Sequence, residues 1–173
     1  MALHHHKHHA AYVAGANTAL EELAVIRETG DLSTIAMLEK NVGFHLSGHM
    51  LHSVFWTNLS PHGGGEPTGA LAELLDETFG GVPAFRQQMT PTAATIQGSG
   101  WALASWEPVA GRLVVQQVHD HQGHHRQGTV PLLALDSPST RGSTPTTSST
   151  RTGRPTSSPL SGTSSTGTTS PAA

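Results

Sequence analysis

Helical periodicity dominates the first sixty residues. Residues 3–29 are rich in Ala, Leu and Glu, and Gly30 follows at the position of a helix C-cap. Apolar residues and histidines recur at helical spacing over 31–59, where Asp31 or Ser33 could cap the helix. A short polar turn separates the two segments. The pattern predicts an antiparallel helical hairpin.

The pattern changes in the second half of the chain. A glycine-rich loop at 60–67 precedes two shorter helical segments over 67–96. Apolar and polar residues then alternate over 98–108 and 112–121, which predicts two strands joined by a hairpin turn. Residues 129–136 predict a third strand. Helices followed by a small antiparallel sheet predict an α+β domain.

Apolar patterning ends at Ser137. Residues 1–136 hold all 12 acids and six of the nine Lys and Arg, whereas the 37 residues from Ser137 hold no acid, no aromatic residue and 22 Ser or Thr. Such a composition predicts a disordered tail. The acidic front part has no basic stripe, which argues against a nucleic-acid partner.

The remaining composition narrows the chemistry. Cysteine is absent, so disulfides, thiolate zinc sites and thiol catalysis are excluded. No apolar run approaches the roughly 18 residues of a membrane span, and the start lacks the apolar stretch of a signal peptide. We therefore expect a cytoplasmic protein with no membrane partner. The strongest anomaly is 13 histidines in a chain with two lysines.

The spacing of the histidines suggests a metal site. His4, His8 and Tyr12 lie four residues apart and share a helix face. His49, His52 and Trp56 share a face of the second predicted helix. An antiparallel hairpin can bring two such faces together and present one imidazole from each helix to a metal.

Two strand ends add further candidates, namely His119, Asp120 and His121 on the second strand and Asp136 on the third. Histidine and carboxylate ligands without thiolates suit iron, manganese or zinc. Two other interpretations remain open at this point. The string at 4–9 resembles a purification tag, although it continues into helical sequence without a linker, and histidines on an apolar helix face are often core residues.

Several motifs together resemble the iron/manganese superoxide dismutases. They are "HHHKHHAAYV", "GHMLHSVFW", "GSGW", "HDHQG" and "VPLLALD", in this order, and the likeness covers residues 1–136. It implies an N-terminal helical hairpin at 1–58 and an α/β domain with a three-stranded antiparallel sheet at 66–136. Residues 137–173 would form a disordered Ser/Thr-rich tail.

The resemblance also implies a site. Its metal ligands would be His4, His52 and Asp136. Its catalytic residues, which handle substrate and protons, would be His8, Tyr12 and His121. Its apolar walls would be Trp56 and Trp101. The implied cofactor is one iron or manganese ion per subunit, and the implied reaction is disproportionation of superoxide to O₂ and H₂O₂ in a homodimer or homotetramer.

The chain departs from the family pattern at two places. The family has a further stretch before its first histidine motif, so we expect that Met1 is an internal start. The fourth family ligand is the histidine of a "DxWEH" motif, but Asp136 is followed by "SPST". We therefore expect impaired activity; the alternative is a non-enzymatic His-rich metal-binding hairpin with a disordered tail.

The order of residues in the tail suggests a frameshift. Codons for "LAFDAWEH", read one base late, translate as the "SPSTRGST" of residues 137–144. A shifted tryptophan codon gives glycine, and Gly142, Gly162 and Gly167 have the spacing of three family tryptophans, twenty and then five residues. The missing ligand would then underlie Thr144. A natural linker or glycosylated stalk remains the alternative.

Overall fold

The computed structural model describes residues 4–123 and 128–137, all of which belong to one compact unit. The predicted disordered tail lies outside the described residues from position 138 onward. In the described part of the chain, no helix combines the length and apolar character of a membrane span.

The predicted hairpin is present, with an unusual start. Residues His4–His9 form a π-helical segment, which leads into α1, Ala10–Thr29. The second helix, α2, spans Ile35–Thr57 and packs along α1. Gly30 ends α1 in the left-handed region at φ 73°, and its N–H donates to the carbonyl of Ile26, as predicted for a glycine cap.

The predicted cap of the second helix is wrong. Thr34 is the N-cap residue of α2, and its side chain makes no capping hydrogen bond. The Asp31 carboxylate instead accepts a hydrogen bond from the Ser33 N–H at 3.0 Å. This local turn competes with helix capping for the same carboxylate, a common behaviour of aspartate in turns.

Two short helices and a sheet complete the described fold. Helix α3 spans Ala70–Phe79 and α4 spans Val82–Ala94. The strands are β1, Gly100–Glu107; β2, Arg112–His119; and β3, Val130–Ser137. They form an antiparallel sheet in the order β2-β1-β3. The predicted α+β fold is confirmed.

The core lies where α2 meets the sheet. Leu51 of α2 packs with four side chains that are all fully buried, namely Trp101, Leu103, Val118 and Ala134. The central strand β1 contributes two of them, and β2 and β3 one each. This cluster holds one face of α2 rigidly against the end of the sheet where Trp101 pairs with Val118 on one side and Asp136 on the other.

Candidate metal centre

Three side chains from three separate elements converge at this end of the sheet. They are His4 of the π-helical segment, His52 of α2 and Asp136 of β3, and one ligand atom from each lies within 4.8 Å of the others. Among the described residues, these three side chains form a group whose ligand atoms are close enough together to bind one metal ion. The hairpin thus supplies two imidazoles and the sheet one carboxylate.

His52 is oriented by its own helix. Its Nδ1 lies 2.7 Å from the carbonyl oxygen of Gly48, one turn earlier. A carbonyl only accepts, so Nδ1 carries the proton and Nε2 keeps its lone pair in the neutral ring. Burial lowers the pKa of His52 to about 4; the hydrogen bond to Gly48 acts to raise it, and His4 and His121 lower it further. The ring is therefore neutral near pH 7.

Asp136 is placed by the docking of β3 against α2. The Asn58 side chain, just beyond α2, donates to the Leu132 carbonyl at 2.9 Å and accepts from the Ala134 N–H at 2.9 Å. These two bonds tie β3 to the end of α2. Burial raises the pKa of the Asp136 carboxyl, although His4 and His8 act to lower it.

His4 rests on aromatic rings of α2. Its ring stacks on Phe55, with centroids 5.4 Å apart, and meets the edge of Trp56 at 5.6 Å. Its Nε2 lies 2.9 Å from Oδ2 of Asp136, yet this buried nitrogen makes no hydrogen bond. The contact is therefore one of proximity without hydrogen-bond geometry.

The buried Nε2 of His4, which has no hydrogen-bond partner, is what we expect of a metal ligand when no ion is present. Two imidazole nitrogens and a carboxylate oxygen face one another, and a shared cation would satisfy all three. Bonds of roughly 2.0–2.2 Å from such ligands to one ion accommodate neighbouring ligand atoms about 3 Å apart. The donor set contains no thiolate and suits iron or manganese. The residues fit.

A cavity of about 320 Å³ opens onto these ligands. Its lining comprises His4, His8, Tyr12, His52, Ser99, His121 and Asp136. All six of the sequence-predicted metal and catalytic residues therefore meet at one cavity. Ser99, which lies within the "GSGW" motif, also lines the cavity, although it was not predicted as a site residue.

A hydrogen-bonded chain runs along the cavity wall. The indole N–H of Trp101 donates to Nδ1 of His121 at 2.9 Å, so in the neutral imidazole the proton resides on Nε2. That Nε2 lies 2.5 Å from the hydroxyl oxygen of Tyr12. The imidazole therefore donates to Tyr12, which leaves the hydroxyl hydrogen of Tyr12 available to another acceptor.

The two ionisable side chains in this row of hydrogen bonds, His121 and Tyr12, are held in their neutral forms. Burial lowers the pKa of His121, with an opposing contribution from Asp120. Burial also raises the pKa of Tyr12, and the charges of Asp136 and Asp120 add to this. Near pH 7 both side chains are thus uncharged, and Tyr12 retains its proton.

The position of Tyr12 depends on a glycine of α2. A Cβ atom added to Gly48 would lie 2.6 Å from Cδ1 of Tyr12. Only the absence of a side chain at this position lets the phenol ring reach His121.

The two predicted wall residues contact the ligand imidazoles. Trp101 is fully buried and meets the His52 ring edge-on, with centroids 4.8 Å apart. Trp56 meets His4 in the same manner and donates its N–H to Nδ1 of His9 at 3.0 Å. Both indoles lie behind the ligands, since the cavity lining consists of other residues.

Sequence reasoning missed several residues around the ligands. Phe55 supports the ring of His4, Asn58 docks β3, and His9 lies between Trp56 and His49. The doubled histidines of "HHHKHH" were a signal for His9. No comparable signal marks Phe55 or Asn58, because their roles arise from tertiary contacts.

Comparison with known protein families agrees with this architecture. The family model described as iron/manganese superoxide dismutases, alpha-hairpin domain, matches residues 1–60. The model for the C-terminal domain of the same family matches residues 67–137. The chain therefore belongs to the iron/manganese superoxide dismutase family.

Some of the similar proteins are named for manganese and others for iron. A superoxide dismutase [Mn] of Nocardia asteroides is 52% identical over 134 residues, which is 78% of this chain and 65% of that protein. A superoxide dismutase [Mn] of Mycobacterium celatum is 50% identical over 133 residues, 77% of this chain and 96% of that protein. A superoxide dismutase [Fe] of Mycobacterium tuberculosis (strain ATCC 25618 / H37Rv) is 48% identical over 134 residues, 78% of this chain and 65% of that protein. The chain thus spans just under two thirds of the length of two of these relatives.

Proposed function

We propose that this chain disproportionates superoxide to O₂ and H₂O₂ with one iron or manganese ion held by His4, His52 and Asp136. The observation that carries the proposal is the convergence of these three ligand atoms within 4.8 Å. The unsatisfied Nε2 of His4 beside Asp136 supports it. Family membership and the metals in the names of the relatives support it further.

The bound ion would supply one-electron oxidation of one superoxide and one-electron reduction of a second. The overall reaction consumes two superoxide anions and two protons and yields one O₂ and one H₂O₂. The protein must therefore deliver protons to a small anion in a half-closed cavity. The two exposed lining residues, His8 and Ser99, would border the side on which the substrate enters.

Tyr12 and His121 would hold the proton at the reacting end. The raised pKa of Tyr12 keeps its hydroxyl protonated near neutral pH, and Nε2–H of His121 donates to the same oxygen. After Tyr12 gives up its proton, the imidazole N–H next to it would stabilise the phenolate until solvent returns a proton.

We further propose that turnover by this chain is impaired. The sequence after Asp136 reads "SPST", so it lacks the histidine and the glutamate of the family's "DxWEH" motif. A three-ligand site holds its ion less tightly than a four-ligand site and leaves an additional position to solvent. Sequencing the gene across codons 125–175 tests the frameshift. We expect an open reading frame that encodes "DxWEH". A gene that encodes "SPST" and contains no frame with "DxWEH" would contradict the frameshift.

The direct experiment combines metal content and superoxide consumption. The purified chain, loaded anaerobically with Fe²⁺ or Mn²⁺, is expected to retain about one ion and to consume superoxide above the metal-free background. Asp136→Asn should lose both properties. Asp76→Asn is the matched control, because Asp76 is an exposed residue of α3 and does not line the cavity.

A second candidate function is favoured by the missing fourth ligand. A His-rich metal-binding hairpin would retain zinc, nickel or copper and consume no superoxide. Binding of these ions with no catalysis in the iron-loaded and manganese-loaded forms would establish it in place of the dismutase.

We also propose a cytoplasmic homodimer or homotetramer. Exposed apolar side chains on β3, Val130 and Leu132, offer surface that a second subunit could cover. Light scattering of the purified chain should give a mass of two or four subunits, and a monomer would contradict the proposal.

A further inference from the structure

One of the three ligands, His4, lies on a segment that contributes no residue to the buried core. The π-helical segment His4–His9 buries none of its residues, whereas α2, which carries His52, contributes Leu51 to the core. A segment that adds no side chain to the core is held in place by specific contacts. The position of His4 therefore depends on such contacts.

His9 makes several contacts with α2. Its Nδ1 accepts a hydrogen bond from the Trp56 indole at 3.0 Å, and its Nε2 lies 2.8 Å from Nδ1 of His49. The His9 ring also stacks on His49, with centroids 5.0 Å apart. Since π-helical hydrogen bonds join residues five apart, His4 and His9 emerge on the same side of the segment, toward α2.

The chemistry of the donors determines which group donates in the Trp56–His9 and His9–His49 hydrogen bonds. An indole has a single N–H and cannot accept, so Nδ1 of His9 is the acceptor. The proton of a neutral His9 is then on Nε2, and it is donated to Nδ1 of His49. His49 is therefore required as an acceptor, and its own proton resides on Nε2.

The same reasoning excludes His9 as a ligand of a second metal ion. Binding a metal through Nε2 while Nδ1 accepts from Trp56 would require a ring that has lost both protons. His9 is thus suited to hold structure and not an ion.

We propose that His49 is a positioning residue for the metal ligand His4. By accepting from His9, it holds the His9 ring against Trp56, and Trp56 in turn meets the His4 ring edge-on at 5.6 Å. His49 is exposed and does not line the cavity, so it acts on the centre only through His9. The inference rests on the proposed function, because it takes His4 to be a ligand.

The first test is spectroscopic and uses the unmutated, metal-free chain. Long-range ¹H–¹⁵N correlation of the imidazole rings reports which nitrogen carries the proton. His9 is expected as the Nε2–H tautomer with Nδ1 unprotonated. A His9 ring protonated at Nδ1 would overturn the inference, since it could not accept from Trp56.

The second test compares three variants by competition with a chelator for Mn²⁺. His49→Ala is expected to weaken Mn²⁺ binding about tenfold, the lower end of what loss of a supporting contact around a metal site costs. His49→Asn is expected to restore affinity to within about twofold, because the Asn Oδ1 accepts at the position of the imidazole Nδ1. Met50→Ala, a neighbour on α2 that is 38% exposed, should leave the affinity unchanged.

The outcomes separate the inference from the proposed function. Unchanged affinity in His49→Ala, or equal weakening in His49→Ala and His49→Asn, overturns the positioning role while the metal centre stands. Failure of the unmutated chain to bind Mn²⁺ or Fe²⁺ overturns the proposed function, and the positioning role with it.

Discussion

The two imidazoles of the candidate centre are held in opposite ways. His52 is 2% exposed, lies one residue from the core side chain Leu51, and is oriented by the backbone of its own helix. His4 lies on a segment with no fully buried residue and is oriented by contacts with the rings of α2. Core packing thus fixes the position of His52, whereas a few polar and aromatic contacts fix the position of His4. We infer that core substitutions will cost fold and metal together, whereas substitutions around His4 will cost metal binding alone.

The largest expected effect on the free energy of unfolding comes from a substitution in the core that holds His52. Trp101→Ala removes a fully buried indole that contacts His52 and donates to His121. We expect the free energy of unfolding to fall by about 3–5 kcal/mol, measured by urea denaturation. Trp106→Ala, at a half-buried position of the same strand, is the control and should cost less. Equal losses in the two variants would contradict the assignment of Trp101 to the core.

A smaller effect is expected at the glycine beneath Tyr12. In Gly48→Ala the new methyl group would collide with the phenol ring, so we expect a loss of about 1–3 kcal/mol in unfolding free energy and a displaced Tyr12. Gly43→Ala, on the same helix with nothing within 4 Å of the added Cβ, should instead stabilise by up to about 1 kcal/mol. Thermal denaturation compares them, and a tolerated Gly48→Ala would show that Tyr12 does not pack there.

The smallest effect is expected at the indole that supports His4. Trp56→Phe keeps an aromatic ring against His4 but removes the N–H that His9 accepts. One hydrogen bond contributes about 0.5–1.5 kcal/mol, so the unfolding free energy should change by no more than this. Mn²⁺ affinity should nevertheless fall, because His9 loses the partner that sets its tautomer. An unchanged affinity would indicate that the stacking of His9 alone is sufficient.

The same contrast explains what could be predicted from the sequence. The helices, the strands and the convergence of His4, His52 and Asp136 follow from periodic patterning, from four-residue spacing and from the family resemblance. The π-helical winding of residues 4–9 could not be predicted, because an α-helical pattern accounts equally well for His4, His8 and Tyr12. The position of His9 was missed for the same reason.

Contacts between distant segments were also beyond sequence reasoning. Asn58 looks in the sequence like an ordinary residue after a helix, yet both of its side-chain hydrogen bonds are with β3. Asp31 has the sequence of a helix cap, yet its carboxylate accepts from Ser33 within the turn. In each case the local sequence permits several partners, and tertiary packing selects one.

Anomalous diffraction from crystals of the manganese-loaded chain tests the central claim most directly. The account predicts one strong manganese peak per chain, bounded by Nε2 of His4, Nε2 of His52 and a carboxylate oxygen of Asp136. A peak held instead by the exposed histidines, with none at these three atoms, would contradict it.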